Sequence, residues 1–150
     1  MFSNTAEYAL RAVVFLATRA DTRWSSGAIA KSTSSPPGYV SKVLKDLVDA
    51  GIILSQRGPS GGFTLARTPD RISVLEVINA VDPWRRIETC PLGIESHGTR
   101  LCKLHRRLDD SMALVQRELS QATIAEMLQP AEGHSTCLFP TVSVRPSEAP

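Results

Sequence analysis

A helical pattern that runs directly into a glycine-rich hairpin pattern limits this chain to a small number of folds. Ser34-Ser35-Pro36-Pro37 predicts a helix start, because serine caps a helix and proline in the first turn loses no hydrogen bond. The helical period continues to about residue 50, where Gly51 ends it. The predicted inward face of this third helix carries Val40, Val43, Leu44 and Leu47.

Two β-like runs follow the predicted helix. Residues 52–57 and 63–66 resemble short strands, and the intervening Gly58-Pro59-Ser60-Gly61-Gly62 is typical of a turn. A hairpin directly after such a helix predicts a wing, whose glycines would allow the backbone to approach a phosphate. A surface hairpin whose glycines only make the turn is the alternative.

Two further helices are predicted before the third. Residues 3–20 carry apolar side chains at spacings of three and four, and residues 26–31 form a shorter helical stretch. Two short helices joined by a polar turn fit a helix-turn-helix, and a plain three-helix core is the alternative.

If the winged helix-turn-helix is right, eight residues should face duplex DNA. They are Ser35, Tyr39, Ser41, Lys42 and Lys45 on or beside the third helix, and Arg57, Ser60 and Gly61 in the wing. One of Lys42 and Lys45 can reach a guanine edge and the other a phosphate. Residues 1–67 hold eight Lys/Arg against four Asp/Glu, whereas residues 68–150 hold nine against eleven, so the basic excess lies in the half expected to bind DNA.

The second half of the chain is predicted to hold a short helix, a loop and a long helix. Ser73 and Glu76 form a capping-box pattern, and Asp82-Pro83 ends the helix that follows. Residues 85–100 have the composition of a loop. The helical period then returns as a stripe of Leu101, Leu104, Leu108, Met112, Val115, Leu119 and Ala122. We expect a second copy of the chain to cover this stripe, and an intramolecular core face is the alternative.

Composition narrows the class of protein. A chain of 150 residues is one domain with at most an appendage, and no apolar run approaches the ~20 residues of a membrane span. The first twenty residues include Glu7 and lack a basic start, so they do not read as a signal peptide. Three cysteines are too few and too irregular for a secreted disulfide framework, which favours a cytoplasmic protein without membrane association.

Soft metal ligands are concentrated just before and within the start of the long helix. The segment 90–107, CPLGIESHGTRLCKLHRR, holds two of the three cysteines and two of the three histidines. Cys102 and His105 are three residues apart, so both can reach one metal, and Cys90 would be brought in by the loop. The alternatives are a Cys90–Cys102 disulfide switch, zinc or another metal at a mixed site, and inert side chains. Cys137 is expected not to be a ligand.

Four stretches together resemble the Rrf-type winged-helix transcription regulators. They are EYALRAVVFLA, PPGYVSKVLKDLVDAGIILSQRGPSGGFTLAR, ISVLEVINAVD and LCKLHRRLDD, and the likeness covers about residues 1–128. The resemblance implies a homodimer whose long helices cross, with two winged helices binding a palindromic operator in double-stranded DNA. It also implies a repressor that senses redox, nitric oxide or iron–sulfur status.

The resemblance further implies an iron–sulfur cluster, with [2Fe–2S] the expected type. Cys90 and Cys102 stand at two of the three cysteine positions of cluster-binding members, and the middle cysteine is missing near Ser96. The implied ligands are Cys90, Cys102 and His105 of one subunit together with Glu7 of the partner subunit. His97 is a further candidate ligand. Where some members carry a histidine one turn after the glutamate, this chain has Arg11, which leaves the ligand set open.

The predicted architecture is mainly α, with a small β-hairpin wing. Residues 1–84 form the winged-helix DNA-binding domain, 85–107 the sensor loop and the start of the long helix, 101–128 the dimerisation helix, and 129–150 a disordered tail. No nucleotide-binding loop, paired carboxylates or nucleophile–base spacing indicates an enzyme, so we expect no small-molecule substrate. A cluster-free regulator and a winged helix that binds protein are the alternative functions.

Overall fold

The computed structural model describes residues 2–94 and 100–130, and within these ranges the chain forms helices and one hairpin. The helices are α1 (Asn4–Ala17), α2 (Ser26–Ser32), α3 (Pro37–Asp49), α4 (Val74–Val81), α5 (Lys103–Gln121) and α6 (Ile124–Met127). The hairpin consists of β1 (Ile53–Gln56) and β2 (Gly62–Leu65), and a 3₁₀ turn at Pro69–Arg71 follows it. The predicted mainly α fold with a small β-hairpin is confirmed. Residues 131–150 of the predicted tail lie outside the described residues.

Helix α1 lies at the centre of the core. Ser3 caps it, because its Oγ accepts a hydrogen bond from the Ala6 amide at 3.1 Å. Ala6, Ala9 and Ala12 are fully buried, and small side chains let neighbouring helices approach closely. Helix α1 contacts α2, α3, α4, α6 and β2, so the two halves of the chain pack on one helix.

The turn between α2 and α3 differs from the prediction in one respect. The cap residue of α3 is Pro36, which makes no side-chain capping bond, and Pro37 takes the first helical position. The predicted serine cap is therefore wrong. The Ser35 side chain bends back into the turn instead, where the Ser35 and Thr33 hydroxyls lie 3.0 Å apart and Ser35 is only 6% exposed.

The hairpin packs closely against itself and against the segment before α2. Strands β1 and β2 are antiparallel, with Ile53 opposite Leu65 and Gln56 opposite Gly62. A Cβ at residue 61 would lie 2.3 Å from the Gln56 carbonyl oxygen, so only glycine fits there. Trp24 adds an isolated bridge to Phe63, with the Phe63 amide donating to the Trp24 carbonyl at 2.8 Å. Sequence patterns did not predict this third, one-residue strand.

Helix α4 starts with the predicted capping box. The Ser73 hydroxyl accepts from the Glu76 amide at 3.1 Å, and the Ser73 amide donates to the Glu76 carboxylate at 2.9 Å. Arg67 contacts the other carboxylate oxygen at 3.0 Å. Burial acts to raise the pKa of Glu76, but the bonds from Ser73 and Arg67 outweigh it and leave this pKa below its usual value.

The chain returns to the core after α5. The Val74 amide donates to the Ala122 carbonyl and the Ile124 amide to the Ile72 carbonyl, both at 2.9 Å. Ile124 is fully buried as a result. Residues 122–128 were predicted as the end of the dimerisation helix 101–128, and their long-range pairing with the start of α4 has no local sequence signal.

Helix α5 has no fully buried residue along its 19 residues. Its C-terminal part, including Leu119, packs against the core, but Leu104 is 64% exposed and Leu108 is 47% exposed. The predicted apolar stripe therefore divides into a covered C-terminal part and an uncovered N-terminal part. Among the described residues, no helix is both long and apolar enough to cross a membrane.

Removing one buried leucine should test the core that supports α3. Leu47 is fully buried, so we expect Leu47→Ala to lower the free energy of unfolding by about 2–5 kcal/mol. Leu54→Ala is the matched control, because Leu54 is 55% exposed and its loss should change stability by about 0.5 kcal/mol or less. Urea denaturation followed by circular dichroism measures both, and equal effects would contradict this core.

Candidate functional site

A carboxylate on α5 holds the loop that follows α4. Arg86 Nε donates to Asp109 Oδ1 at 2.6 Å, and the Ile87 amide donates to the same oxygen at 2.9 Å. The guanidinium also contacts Oδ2, which makes the pair bidentate. The hydrogen bond from Arg86 lowers the pKa of Asp109 below its usual value and so favours the charged carboxylate.

Two more hydrogen bonds position the same loop. Gln116 Nε2 donates to the Trp84 carbonyl at 2.8 Å, and the Trp84 amide donates to Asn79 Oδ1 at 3.0 Å. The loop is thus held at Trp84 and again at Arg86–Ile87, shortly before Cys90. Arg86 and Asp109 are 23 residues apart in sequence, and no local pattern marks them as partners.

Cys90, Cys102 and His105 meet at the N-terminus of α5. The sulfur of Cys102 lies 3.4 Å from His105 Nδ1, and the sulfur of Cys90 lies 3.9 Å from the same nitrogen. Cys102 is the cap residue of α5, and both cysteines are free thiols. Cys90 is 9% exposed and Cys102 is partly exposed. The three predicted ligands of this chain's own segment are therefore neighbours.

The donor chemistry fits a soft metal centre, although the set is incomplete. Two thiols and an imidazole are the ligand types that iron–sulfur clusters accept. In residues 2–94 and 100–130, no group of three or more His, Cys, Asp and Glu side chains has an arrangement that could hold a metal ion. His97, the further ligand suggested by the sequence, lies outside the described residues, as does Cys137.

The fourth implied ligand, Glu7, lies on α1 and is paired on that helix. Its carboxylate is paired with Arg11, one turn further along α1, and the Glu7 side chain is 53% exposed. The Arg11 guanidinium also donates to the carbonyl of Thr33 at 3.4 Å, in the turn that precedes α3. Glu7 is therefore linked through Arg11 to the helix-turn-helix.

The predicted DNA-facing residues of α3 lie at the surface, with one exception. Tyr39 is 57% exposed, Ser41 is exposed, and the Lys42 and Lys45 side chains are 66% and 75% exposed. The exception is Ser35, whose buried hydroxyl is bonded to Thr33 and is not available to a partner. We therefore leave Ser35 out of the candidate interface.

Each of the two exposed lysines is paired on its own helix. Lys42 Nζ lies 2.8 Å from Asp46, and Lys45 Nζ lies 2.9 Å from Asp49. The hydrogen bond to Asp49 raises the pKa of Lys45. Sequence reasoning did not single out these two aspartates, although their four-residue spacing from the lysines was readable.

The wing presents Arg57 and Ser60 to solvent. The Gly61 amide donates to the Gly58 carbonyl at 2.9 Å, so this amide is already used within the turn. Gly61 can allow close approach of a partner but does not offer a free donor. Arg57 and Ser60 remain the side chains with which the wing could contact DNA.

Comparison with known proteins gives a consistent result. Residues 2–130 match the Rrf2 family model, which describes iron-dependent transcriptional regulators. An Aquifex aeolicus protein assigned to the HTH-type transcriptional regulators is 30% identical over 143 residues, which cover 93% of this chain and 97% of that protein.

Two solved structures share the fold. IscR of T. potens superimposes with a TM-score of 0.69 at 22% identity, with 85% of each chain covered. CymR, the global cysteine regulator of B. subtilis, superimposes with a TM-score of 0.65 at 25% identity, with 84% of this chain and 94% of that one covered. Winged-helix proteins of this kind are therefore the structural neighbours of the chain.

Removing the carboxylate of Asp109 should loosen the loop that carries Cys90. We expect Asp109→Ala to increase the rate of Cys90 alkylation by iodoacetamide several-fold, because Arg86 and the Ile87 amide lose their acceptor. Peptide mass spectrometry of timed samples measures the rate. Asp110→Ala, at the exposed next position, is the control and should leave the rate unchanged. Equal rates in both variants would show that Asp109 does not hold the loop.

Proposed function

Because the chain belongs to the Rrf2 family of transcriptional regulators, we propose that it is a homodimeric repressor that binds a palindromic operator and senses redox, nitric oxide or iron–sulfur status. Members of this family are regulators and not enzymes, which agrees with the absence of catalytic motifs noted in the sequence. We place its activity in the cytoplasm, where the DNA is.

The sensing part of this proposal rests on one observation, the close approach of Cys90, Cys102 and His105. Both sulfurs lie within 3.9 Å of one imidazole nitrogen. In the proposal, these three residues hold a [2Fe–2S] cluster together with Glu7 of the partner subunit. When bound, the cluster supplies a centre that oxidation or nitrosylation can alter. Asp109 and Gln116 hold the loop before Cys90 on α5, so the chain's own residues would fix the position of the cluster.

The exposed N-terminal part of α5 supports a dimer. Beside it lies an apolar groove of about 340 Å³, lined by Trp84, Ile87, Leu108, Ser111, Met112 and Val115. Leu104 and Leu114 on the same helix are also exposed, and large apolar surfaces are rarely left uncovered in a monomer. A second copy related by a two-fold axis would cover the exposed apolar residues of α5 with the same residues of its own α5. The same axis would bring the two copies of α3 to a two-fold symmetric operator.

We further propose that the contacts of α1 carry the signal from the cluster to the DNA-binding half. Glu7 pairs with Arg11, and Arg11 donates to the Thr33 carbonyl in the turn before α3. If Glu7 binds the partner's cluster, its pairing with Arg11 changes, and so does the support of that turn. A coupling free energy of about 1–3 kcal/mol is enough for a useful switch.

The same geometry favours a second candidate, a thiol switch without a cluster. Both sulfurs lie within 3.9 Å of one nitrogen, so movement of the Cys90 loop could bring the two thiols together in a disulfide. A winged helix that binds protein instead of DNA is the remaining alternative, and failure to bind any duplex at low salt would favour it.

Lys42 should contribute directly to operator binding. We expect Lys42→Ala to weaken binding to a duplex selected from a random pool by the wild-type protein by on the order of 1–3 kcal/mol. The reason is that the exposed ammonium can reach a base edge or a phosphate from α3. Fluorescence anisotropy measures the dissociation constants.

Arg117→Ala is the control for this prediction. It removes the same charge from α5, where the Arg117 side chain is 63% exposed and pairs only weakly with Glu118 at 3.7 Å. Its effect on binding should be much smaller. If Lys42→Ala bound like the wild type, Lys42 would be removed from the interface.

Iron and acid-labile sulfide content should identify the cofactor. Anaerobically purified protein is expected to be coloured, with about two irons and two sulfides per site, as a [2Fe–2S] cluster requires. Cys90→Ala, Cys102→Ala, His105→Ala and Glu7→Ala should each lower this content or shift the visible absorption spectrum.

Cys137→Ala serves as the control, because Cys137 is not among the four proposed ligands. It should keep the wild-type spectrum. Protein that contains no iron or sulfide even after reconstitution would refute the cluster, and a Cys90–Cys102 disulfide on mild oxidation would then support the thiol switch.

A further inference from the structure

The exposed face of α3 carries acids as well as bases. Lys42 and Lys45 are each hydrogen-bonded to an aspartate four residues later, Asp46 and Asp49. The Asp49 side chain is 62% exposed and that of Asp46 is 24% exposed. The charge that these lysines present to a phosphate backbone is therefore largely offset in the free protein.

Helix stability does not explain why the aspartates stand at these positions. Asp46 and Asp49 occupy the last turn of α3, where the helix dipole disfavours negative charge, and no basic residue lies in that turn. The order of each pair, lysine before acid, is also the less favourable one for ion pairs of this spacing. Charged residues that destabilise their own helix are expected at positions where function requires them.

From these contacts we propose that Asp46 and Asp49 are specificity-determining residues, which lower the affinity of α3 for unrelated DNA. On unrelated DNA both Lys42 and Lys45 are drawn to phosphates, which takes each lysine from its aspartate and brings both aspartate carboxylates toward the backbone. At a matching operator one of the two lysines contacts a guanine edge instead of a phosphate, so fewer carboxylates are drawn to the backbone. The cost of the aspartates is therefore greater on unrelated DNA than on the operator. The inference rests on the proposed DNA-binding function.

Replacing the carboxylates by amides tests the proposal. Asp46→Asn, Asp49→Asn and the double variant are compared with the wild type on the selected operator and on a duplex of scrambled sequence, over a series of salt concentrations. We expect affinity for the scrambled duplex to rise several-fold and the operator affinity to rise less, so that the ratio of the two falls. The slope of log K against log salt on the scrambled duplex should steepen by about 0.9 for each lysine that gains a phosphate.

Asp110→Asn on the exposed surface of α5 is the matched control and should change neither affinity. Thermal unfolding should show that the α3 variants are at least as stable as the wild type, since they remove acids from the end of a helix. Unchanged binding to the scrambled duplex, or an equal rise on both duplexes, would overturn the inference. A wild-type protein that binds no duplex at all would instead show that the proposed DNA-binding function is wrong, and the inference would fall with it.

Discussion

The close packing on the alanine face of α1 is the constraint that both halves of this protein share. Ala6, Ala9 and Ala12 are fully buried, and α3 and α4 both contact this helix. The helix that faces the proposed DNA site and the helix that leads into the Cys90 loop are therefore positioned by one element. Larger side chains at these three positions would separate the helices and disturb both sites together. Glu7 also lies on this helix and is linked through Arg11 to the turn before α3.

Local patterns in the sequence predicted most of the fold because each has a short-range physical cause. The period of α3, the capping box of Ser73 and Glu76, and the glycines of the hairpin act over a few residues, and each predicted element is present. The serine cap of α3 was wrong because the Ser35 hydroxyl found a partner within the turn, in Thr33. The bridge from Trp24 to Phe63 and the return of Ile124 to Ile72 could not be predicted, because they join residues that only the folded core brings together.

The candidate site likewise combines residues that sequence patterns predicted with residues that they did not predict. Cys90, Cys102 and His105 were readable as soft ligands in one segment, and the structure brings them together. Asp109 and Arg86, which hold the loop in place, carried no signal, since charged residues 23 positions apart have many alternative partners. The surface lysines of α3 were predicted as DNA contacts, but their pairing with Asp46 and Asp49 was not predicted.

The packing of Gly61 restricts how a wing of this type can diversify. A side chain at this position would collide with the Gln56 carbonyl, and the Gly61 amide is already bonded to Gly58. The hairpin tip therefore cannot acquire a new recognition group at residue 61 without rebuilding the turn. Arg57 and Ser60, which are exposed, face no such restriction. New side-chain chemistry in this hairpin is therefore expected at positions 57 and 60, while the shape of the tip is kept.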